Sequence, residues 1–263
     1  MRPQDRVAIA SATRYEWVLA DLAIMCAGAA TTTIYPNTMS ADVAYLLADA
    51  GCTVVFAEDA DQVAKLREQR AQIPSVRTVV CFDSSAADDD WLISTDELAR
   101  RGEALLRNDS GVIDARIDAL EPDHLATIIY TSGTTGRPKG AELTHDAFVY
   151  VAAAADAIGL MRPEDLQFLW LPLSHVFGKV LLTIPMQIGF PTAIDGRQDR
   201  IVDNLAIIRP TWMGAAPRVF EKAKVASVLD GVRPRRRDQP GQAGVDVVGT
   251  RCGARRRDQP RAR

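Results

Sequence analysis

Cysteine is scarce in this chain of 263 residues, and none of the four cysteines belongs to a C-x-x-C pair. Cys26, Cys52, Cys81 and Cys252 are widely spaced, and no histidine stands near them at the spacing of a metal site. The pattern therefore gives no sign of a zinc or dithiol centre. It predicts reduced thiols, three of them in apolar runs, in a cytoplasmic protein.

The chain also lacks an apolar signal segment at its N-terminus, "MRPQDRVAIA". Its longest apolar stretch, 168–190, contains Pro172, His175, Lys179 and Pro185, which a membrane-spanning helix rarely combines. We expect this stretch to be buried core. Loose, peripheral association with a membrane through this surface is the alternative.

Aromatic residues are absent from Asp230 onward. This tail has ten Arg, no Lys and four Asp, and "RRRDQP" occurs in it twice, at 235–240 and 255–260. A segment so poor in apolar side chains cannot offset its ordering entropy, so 230–263 is predicted to be a disordered, Arg-rich tail. Non-specific nucleic-acid binding by its arginines is a minor alternative, because no aromatic platform accompanies them. The net charge of −3 suggests no nucleic-acid partner for the chain as a whole.

Short apolar runs alternate with amphipathic ones over 1–229, which predicts an α/β domain with mainly parallel sheets flanked by helices. Ser40 is predicted to cap a helix that stops at Gly51, and Ser94 or Thr95 to open another. The segment "TWMGAA" is predicted to be a strand, and "PRVFEKAKV" to begin a helix with Pro217 in its first turn.

The stretch "YTSGTTGRPKG", Tyr130 to Gly140, has the composition of a phosphate-binding loop. Its glycines let backbone N–H groups approach a ligand, its hydroxyls add donors, and Lys139 adds positive charge. It is not a Walker loop, because the position five residues after Gly133 is Pro138. "GAELT" follows, so the prediction is an exposed strand–loop–strand connection.

These residues resemble the phosphate-loop signature of the adenylate-forming superfamily of acyl-CoA synthetases, luciferases and adenylation domains. "LWLPLSHVFGKV" and "MGAAPRVFEK" are similar to segments of long-chain fatty-acid–CoA ligases, so the chain is identified as part of their large AMP-binding domain. The resemblance implies ATP, Mg²⁺ and CoA as cofactors and a fatty acid as substrate. It assigns catalytic roles to Lys139 and His175 and a Mg²⁺ contact to Thr134. It assigns the phosphates of ATP to Thr131, Ser132, Gly133, Thr134, Thr135, Gly136 and Lys139.

Two further residue sets are expected to have only structural roles. His145 is interpreted as a helix-start residue, and Arg218 with Glu221 as an ion pair at helical spacing.

The family's later motifs, Y-G-x-T-E and T-G-D, do not occur in this sequence, and the motif resemblance ends near Lys224. The expectation is therefore a fragment that is inactive alone, with an out-of-frame tail. One alternative is a non-catalytic remnant that binds acyl or nucleotide ligands. Another is one half of a split ligase, completed by a second polypeptide.

Overall fold

A computed structural model describes residues 2–83, 90–131 and 136–215, together with the backbone of 246–248. The strands are β1 (Arg6–Ala10), β2 (Ala30–Ile34), β3 (Cys52–Ala57), β4 (Thr78–Cys81), β5 (Leu92–Ser94), β6 (Leu125–Thr131), β7 (Lys139–Thr144), β8 (Gln167–Leu169), β9 (Thr192–Ile194) and β10 (Asp246–Val248). The helices are α1 (Tyr15–Cys26), α2 (Ser40–Ala50), α3 (Ala60–Glu68), α4 (Thr95–Asn108), α5 (Val112–Asp118), α6 (His145–Ile158), α7 (Val176–Ile188) and α8 (Ile201–Ile208).

The main sheet has seven strands in the order β5-β4-β3-β1-β2-β6-β7. All neighbours are parallel except β6 and β7, which form an antiparallel hairpin. A smaller sheet has the order β10-β9-β8, with β8 and β9 parallel. The α/β class and the mainly parallel sheet flanked by helices are therefore confirmed.

Two apolar clusters cover the two faces of the main sheet. Alternate residues of β1 point to opposite faces, and Ala8 packs in a cluster with Leu47 of α2 and Leu66 of α3. Val7 packs in the other cluster, with Trp17 of α1 and residues of α7. The apolar segment 168–190 therefore contributes α7 to this core, and no helix in the described parts of the chain is long and apolar enough to cross a membrane.

Most of the residues that were predicted to begin or end a helix do so in the structure. Gly51 ends α2 in the left-handed conformation at φ 64°, and the Ser94 side chain accepts a hydrogen bond from the Glu97 N–H at 3.0 Å at the start of α4. The prediction for Ser40 is wrong. Ser40 is the first helical residue, and Met39 occupies the capping position without a side-chain hydrogen bond.

The secondary-structure elements that differ most from the sequence-based prediction are short. The sequence predicted neither β5 nor α5, and the described part of "TWMGAA", 211–215, makes only an isolated bridge, between Trp212 and Gln167. Within the predicted Arg-rich tail, Asp246–Val248 forms a three-residue strand that pairs antiparallel with β9. The predicted helix at Pro217, the pair Arg218–Glu221 and the other tail residues lie outside the described residues.

The described cysteines are free thiols, as the sequence predicts. Cys52 and Cys81 are buried and Cys26 is partly buried. Burial raises the pKa of Cys52 to about 11, so this thiol stays protonated at neutral pH and acts as a small apolar side chain.

Candidate functional site

The predicted phosphate loop connects β6 to β7. The register pairs Thr131 with Lys139 across the base of the hairpin, so the loop joins two antiparallel strands rather than opening onto a helix. Thr131, Gly136 and Lys139 are exposed, and Gly136 has a φ of 141°, which strongly favours glycine. The predicted strand–loop–strand connection is confirmed at its described ends. Ser132, Gly133, Thr134 and Thr135 lie outside the described residues.

Helix α2 holds both sides of this hairpin. The Tyr45 hydroxyl donates to the carbonyl oxygen of Pro138 at 3.2 Å, and the Tyr130 hydroxyl donates to Asp49 Oδ2 at 2.6 Å. The Arg137 guanidinium lies 5.0 Å from the centroid of the Tyr45 ring. Burial and the bond to Asp49 raise the pKa of Tyr130, so its hydroxyl remains a donor. The loop is therefore anchored at both ends by one rigid helix.

His175 lies at the N-terminal end of α7, with its side chain exposed. Its Nδ1 accepts a hydrogen bond from the Phe177 N–H at 3.1 Å, which leaves Nε2 as the free ring nitrogen. Hydrogen bonds of Ser174, the residue before His175, connect the start of α7 to the end of β2. Thr33 Oγ1 donates to the Ser174 carbonyl oxygen at 3.0 Å, and Ser174 Oγ donates to the Ile34 carbonyl oxygen at 3.3 Å.

One cavity of about 550 Å³ brings the hairpin and His175 together. It lies at the carboxyl ends of β2 and β6, the edge at which parallel α/β sheets bind ligands. Its lining includes Thr131, Pro138 and His175, together with Tyr35 and Thr38. Lys139 is not part of this lining, although it is paired with Thr131 at the base of the loop.

A second polar group, which the sequence did not indicate as a site, lies one helical turn further along α7. Lys179 Nζ is 2.8 Å from Asp21 Oδ1, and both side chains are almost fully buried, with exposed fractions of 3% and 1%. The sequence shows only that Lys179 stands inside an apolar run. It does not indicate the ion pair, because Asp21 is 158 residues away in the chain. His145 is the first residue of α6, as predicted, and lines the same cavity as Asp21 and Lys179.

The mainly parallel sheet flanked by helices is the fold expected for the large domain of adenylate-forming ligases. The chain belongs to the AMP-binding enzyme family, whose model matches residues 1–255. This match extends beyond Lys224, where the motif resemblance ends.

Curated relatives and solved structures agree with this family. The chain is 34% identical over 220 residues to the long-chain-fatty-acid–CoA ligase FadD15 of Mycobacterium bovis, covering 83% of this chain and 35% of that protein. It is 30% identical to the ligase ACSBG2 of Xenopus laevis, covering 79% and 29%. The chain thus spans about a third of the length of these relatives.

Two solved structures share the fold. A Mycobacterium tuberculosis fatty acyl CoA synthetase superimposes with a TM-score of 0.67 at 23% identity, covering 85% of this chain and 41% of that one. The anthranilate CoA ligase AuaEII, in complex with anthranoyl-AMP, gives a TM-score of 0.65 at 21% identity, covering 82% and 41%.

Proposed function

We propose that this chain carries the ATP-phosphate site of a fatty-acid–CoA ligase. The reaction has two halves. A fatty-acid carboxylate attacks the α-phosphorus of ATP and releases pyrophosphate, and the CoA thiol then displaces AMP from the acyl-adenylate. The observation that supports this proposal most is the shared cavity, in which the base of the phosphate loop and His175 meet at the carboxyl edge of the sheet.

The proposed roles of the residues follow from their chemistry and position. Backbone N–H groups and hydroxyls of Thr131–Gly136 bind the β- and γ-phosphates, and the Lys139 ammonium neutralises part of their charge. His175 lines the cavity beside the loop, where the acyl-adenylate would lie. The carboxylate is a weak nucleophile, so these groups act mainly by positioning the reactants and neutralising charge.

We propose that Mg²⁺ binds with the phosphates of ATP beside the loop. Mg²⁺ keeps several waters and binds substrate phosphates with only one or two protein oxygens, and no cluster of three acidic, histidine or cysteine ligands exists among the described residues. Thr134 would supply the protein hydroxyl, as the family pattern implies. The ion would contribute charge neutralisation at the phosphates.

The first test is ATP binding by calorimetry. Lys139→Ala and Thr134→Ala are each expected to weaken binding about ten- to a hundredfold, because each removes a contact to a charged phosphate group worth roughly 1.5–3 kcal/mol. Arg107→Ala, which removes an exposed cation on α4, is the matched control and is expected to bind ATP normally. Unchanged affinity in both loop variants would remove the phosphate loop from the proposal.

A second expected result concerns turnover by the purified chain. It is expected to form no acyl-CoA at a useful rate from fatty acid, ATP and CoA, because the family's Y-G-x-T-E and T-G-D motifs are missing from the sequence. Groups that act as one catalytic unit are not additive, so losing several leaves little beyond binding. Pyrophosphate release and acyl-CoA formation measure this, and robust turnover that Lys139→Ala abolishes would contradict it.

One half of a split ligase is the second candidate function. Among the residues that the structure describes, β7 has only β6 as a neighbour in the sheet, and its first four residues, Lys139–Glu142, are exposed. An unpaired strand edge is a surface on which another chain can pair. We propose that a second polypeptide carrying the later family motifs would dock here and restore turnover in the same assay.

A further inference from the structure

Two hydrogen bonds connect helix α2 to the two arms of the β6–β7 hairpin, one on each side of the loop. Tyr45 and Asp49 are four residues apart, so both side chains lie on one face of α2. The Tyr45 hydroxyl donates to the Pro138 carbonyl oxygen at 3.2 Å, on the arm that leaves the loop. Asp49 Oδ2 accepts from the Tyr130 hydroxyl at 2.6 Å, on the arm that enters the loop. One helix face therefore contacts both arms.

The arm that leaves the loop is stiff, and Tyr45 contacts it twice. Pro138 has a fixed φ and restricts the backbone of Arg137 before it. Pro138 also lacks an N–H, so its carbonyl oxygen is its only backbone hydrogen-bonding group, and Tyr45 binds that oxygen. The Arg137 guanidinium lies 5.0 Å from the centroid of the Tyr45 ring. Replacing Tyr45 with Phe would thus remove the hydrogen bond and keep the ring beside Arg137.

The arm that enters the loop is positioned by packing as well as by its hydrogen bond. Tyr130 is paired with Gly140 across the hairpin. A Cβ at Gly140 would lie 3.1 Å from Tyr130 Cζ and 2.8 Å from Ile128 Cγ2, so the Tyr130 ring occupies the space beside the glycine. In this position the ring places its hydroxyl within 2.6 Å of Asp49.

Both arms line the cavity of about 550 Å³ beside the loop, through Tyr130, Thr131 and Pro138, whereas Tyr45 and Asp49 are not part of its lining. A site binds more tightly when its donors are held in place before the ligand arrives, because less ordering is required on binding. We propose that Tyr45 and Asp49 are positioning residues, which fix the arms of the hairpin for phosphate binding without touching the nucleotide. This inference rests on the proposed function.

The test is ATP binding by the full 263-residue chain, measured by calorimetry, with stability measured separately by urea unfolding. Tyr45→Phe and Asp49→Ala are each expected to weaken binding about three- to tenfold, because each removes one hydrogen bond that holds an arm. Tyr150→Phe removes a hydroxyl from a side chain on α6 that is 72% exposed. It is the matched control for Tyr45→Phe and is expected to bind ATP normally.

Asp49→Asn separates positioning from the effects of charge and of general stability. Asparagine keeps an oxygen that can accept from the Tyr130 hydroxyl but carries no charge, so this variant is expected to bind ATP within about twofold of the unaltered chain. If Asp49 acted instead by repelling phosphates, the Asn and Ala variants would both bind ATP more tightly. The double variant Tyr130→Phe/Asp49→Ala is expected to bind like Asp49→Ala, because both changes break the same bond.

Equal affinities of Asp49→Asn and Asp49→Ala, or equal effects of Tyr45→Phe and Tyr150→Phe, would overturn the inference. Two outcomes distinguish its failure from that of the proposed function. If Lys139→Ala weakens ATP binding while Tyr45→Phe and Asp49→Ala leave it unchanged, the inference fails and the proposed function stands. Absence of ATP binding by the unaltered chain would overturn both.

Discussion

Replacing Lys179 with Met is expected to lower the free energy of unfolding by about 3–5 kcal/mol, because it leaves the buried Asp21 carboxylate without its counter-charge. The pair is 2.8 Å apart, and neither side chain is more than 3% exposed. The ammonium also lies 5.6 Å from the Trp17 ring and 5.7 Å from the Phe148 ring, so its loss removes favourable contacts with α1 and α6 as well. Urea unfolding measures the change.

An exposed ion pair provides the matched control. Arg200 Nη1 lies 3.4 Å from Asp203 Oδ2, and both side chains are more than half exposed. Arg200→Met is therefore expected to change stability by less than about 1 kcal/mol. The double variant Asp21→Asn/Lys179→Met should recover much of the loss, since it also removes the uncompensated charge. Equal losses in the Lys179 and Arg200 variants would contradict the account of the buried pair.

The alternation of strands and helices could be predicted because each element carries its own local signals. Gly51 stops α2, and Ser94 caps α4, and such signals depend on only a few neighbouring residues. Strand β5 has three residues and the described part of "TWMGAA" makes a single bridge, so both depend on pairing partners elsewhere in the chain. Local pattern alone cannot decide such cases.

The candidate site was predictable only in part, for the same reason. The composition of the loop indicates phosphate binding without reference to any other segment. The anchoring of this loop by Tyr45 and Asp49 joins segments 93 and 81 residues apart, respectively. The buried ion pair of Asp21 and Lys179 joins residues still further apart, 158 positions in the chain. For both the loop anchoring and the buried ion pair, the sequence shows no more than an isolated polar residue in an apolar stretch.

The first turn of α7 connects the loop cavity, which His175 lines, to the buried ion pair of Lys179 and Asp21. His175 accepts the backbone hydrogen bond of Lys179 at 3.2 Å, so the residue that faces the loop cavity and the residue that holds Asp21 are fixed to each other. A change that moves the start of α7 should therefore disturb both the loop cavity and the ion pair. Gly178, which lies between these two residues, is the position at which a small change should do so.

Gly178→Ala is expected to destabilise the protein by about 3 kcal/mol, because its new methyl group would overlap a buried backbone turn. An added Cβ would lie 2.8 Å from the carbonyl carbon of Pro172 and 3.2 Å from Leu173 Cα, and its nearest neighbour would be the Pro172 carbonyl oxygen. That oxygen accepts a hydrogen bond from the His175 N–H at 3.0 Å, so relief of the overlap would also displace His175. The backbone cannot move aside as a flexible side chain could.

Gly102→Ala on α4 is the matched control for this substitution. An added Cβ at Gly102 meets nothing within 4 Å, so alanine there should stabilise the helix by about 0.5–1 kcal/mol. The two variants make the same chemical change in a helix and should have opposite effects on the urea midpoint. If both shifted the midpoint in the same direction, the tight contact between α7 and the Pro172 turn could not be what positions His175.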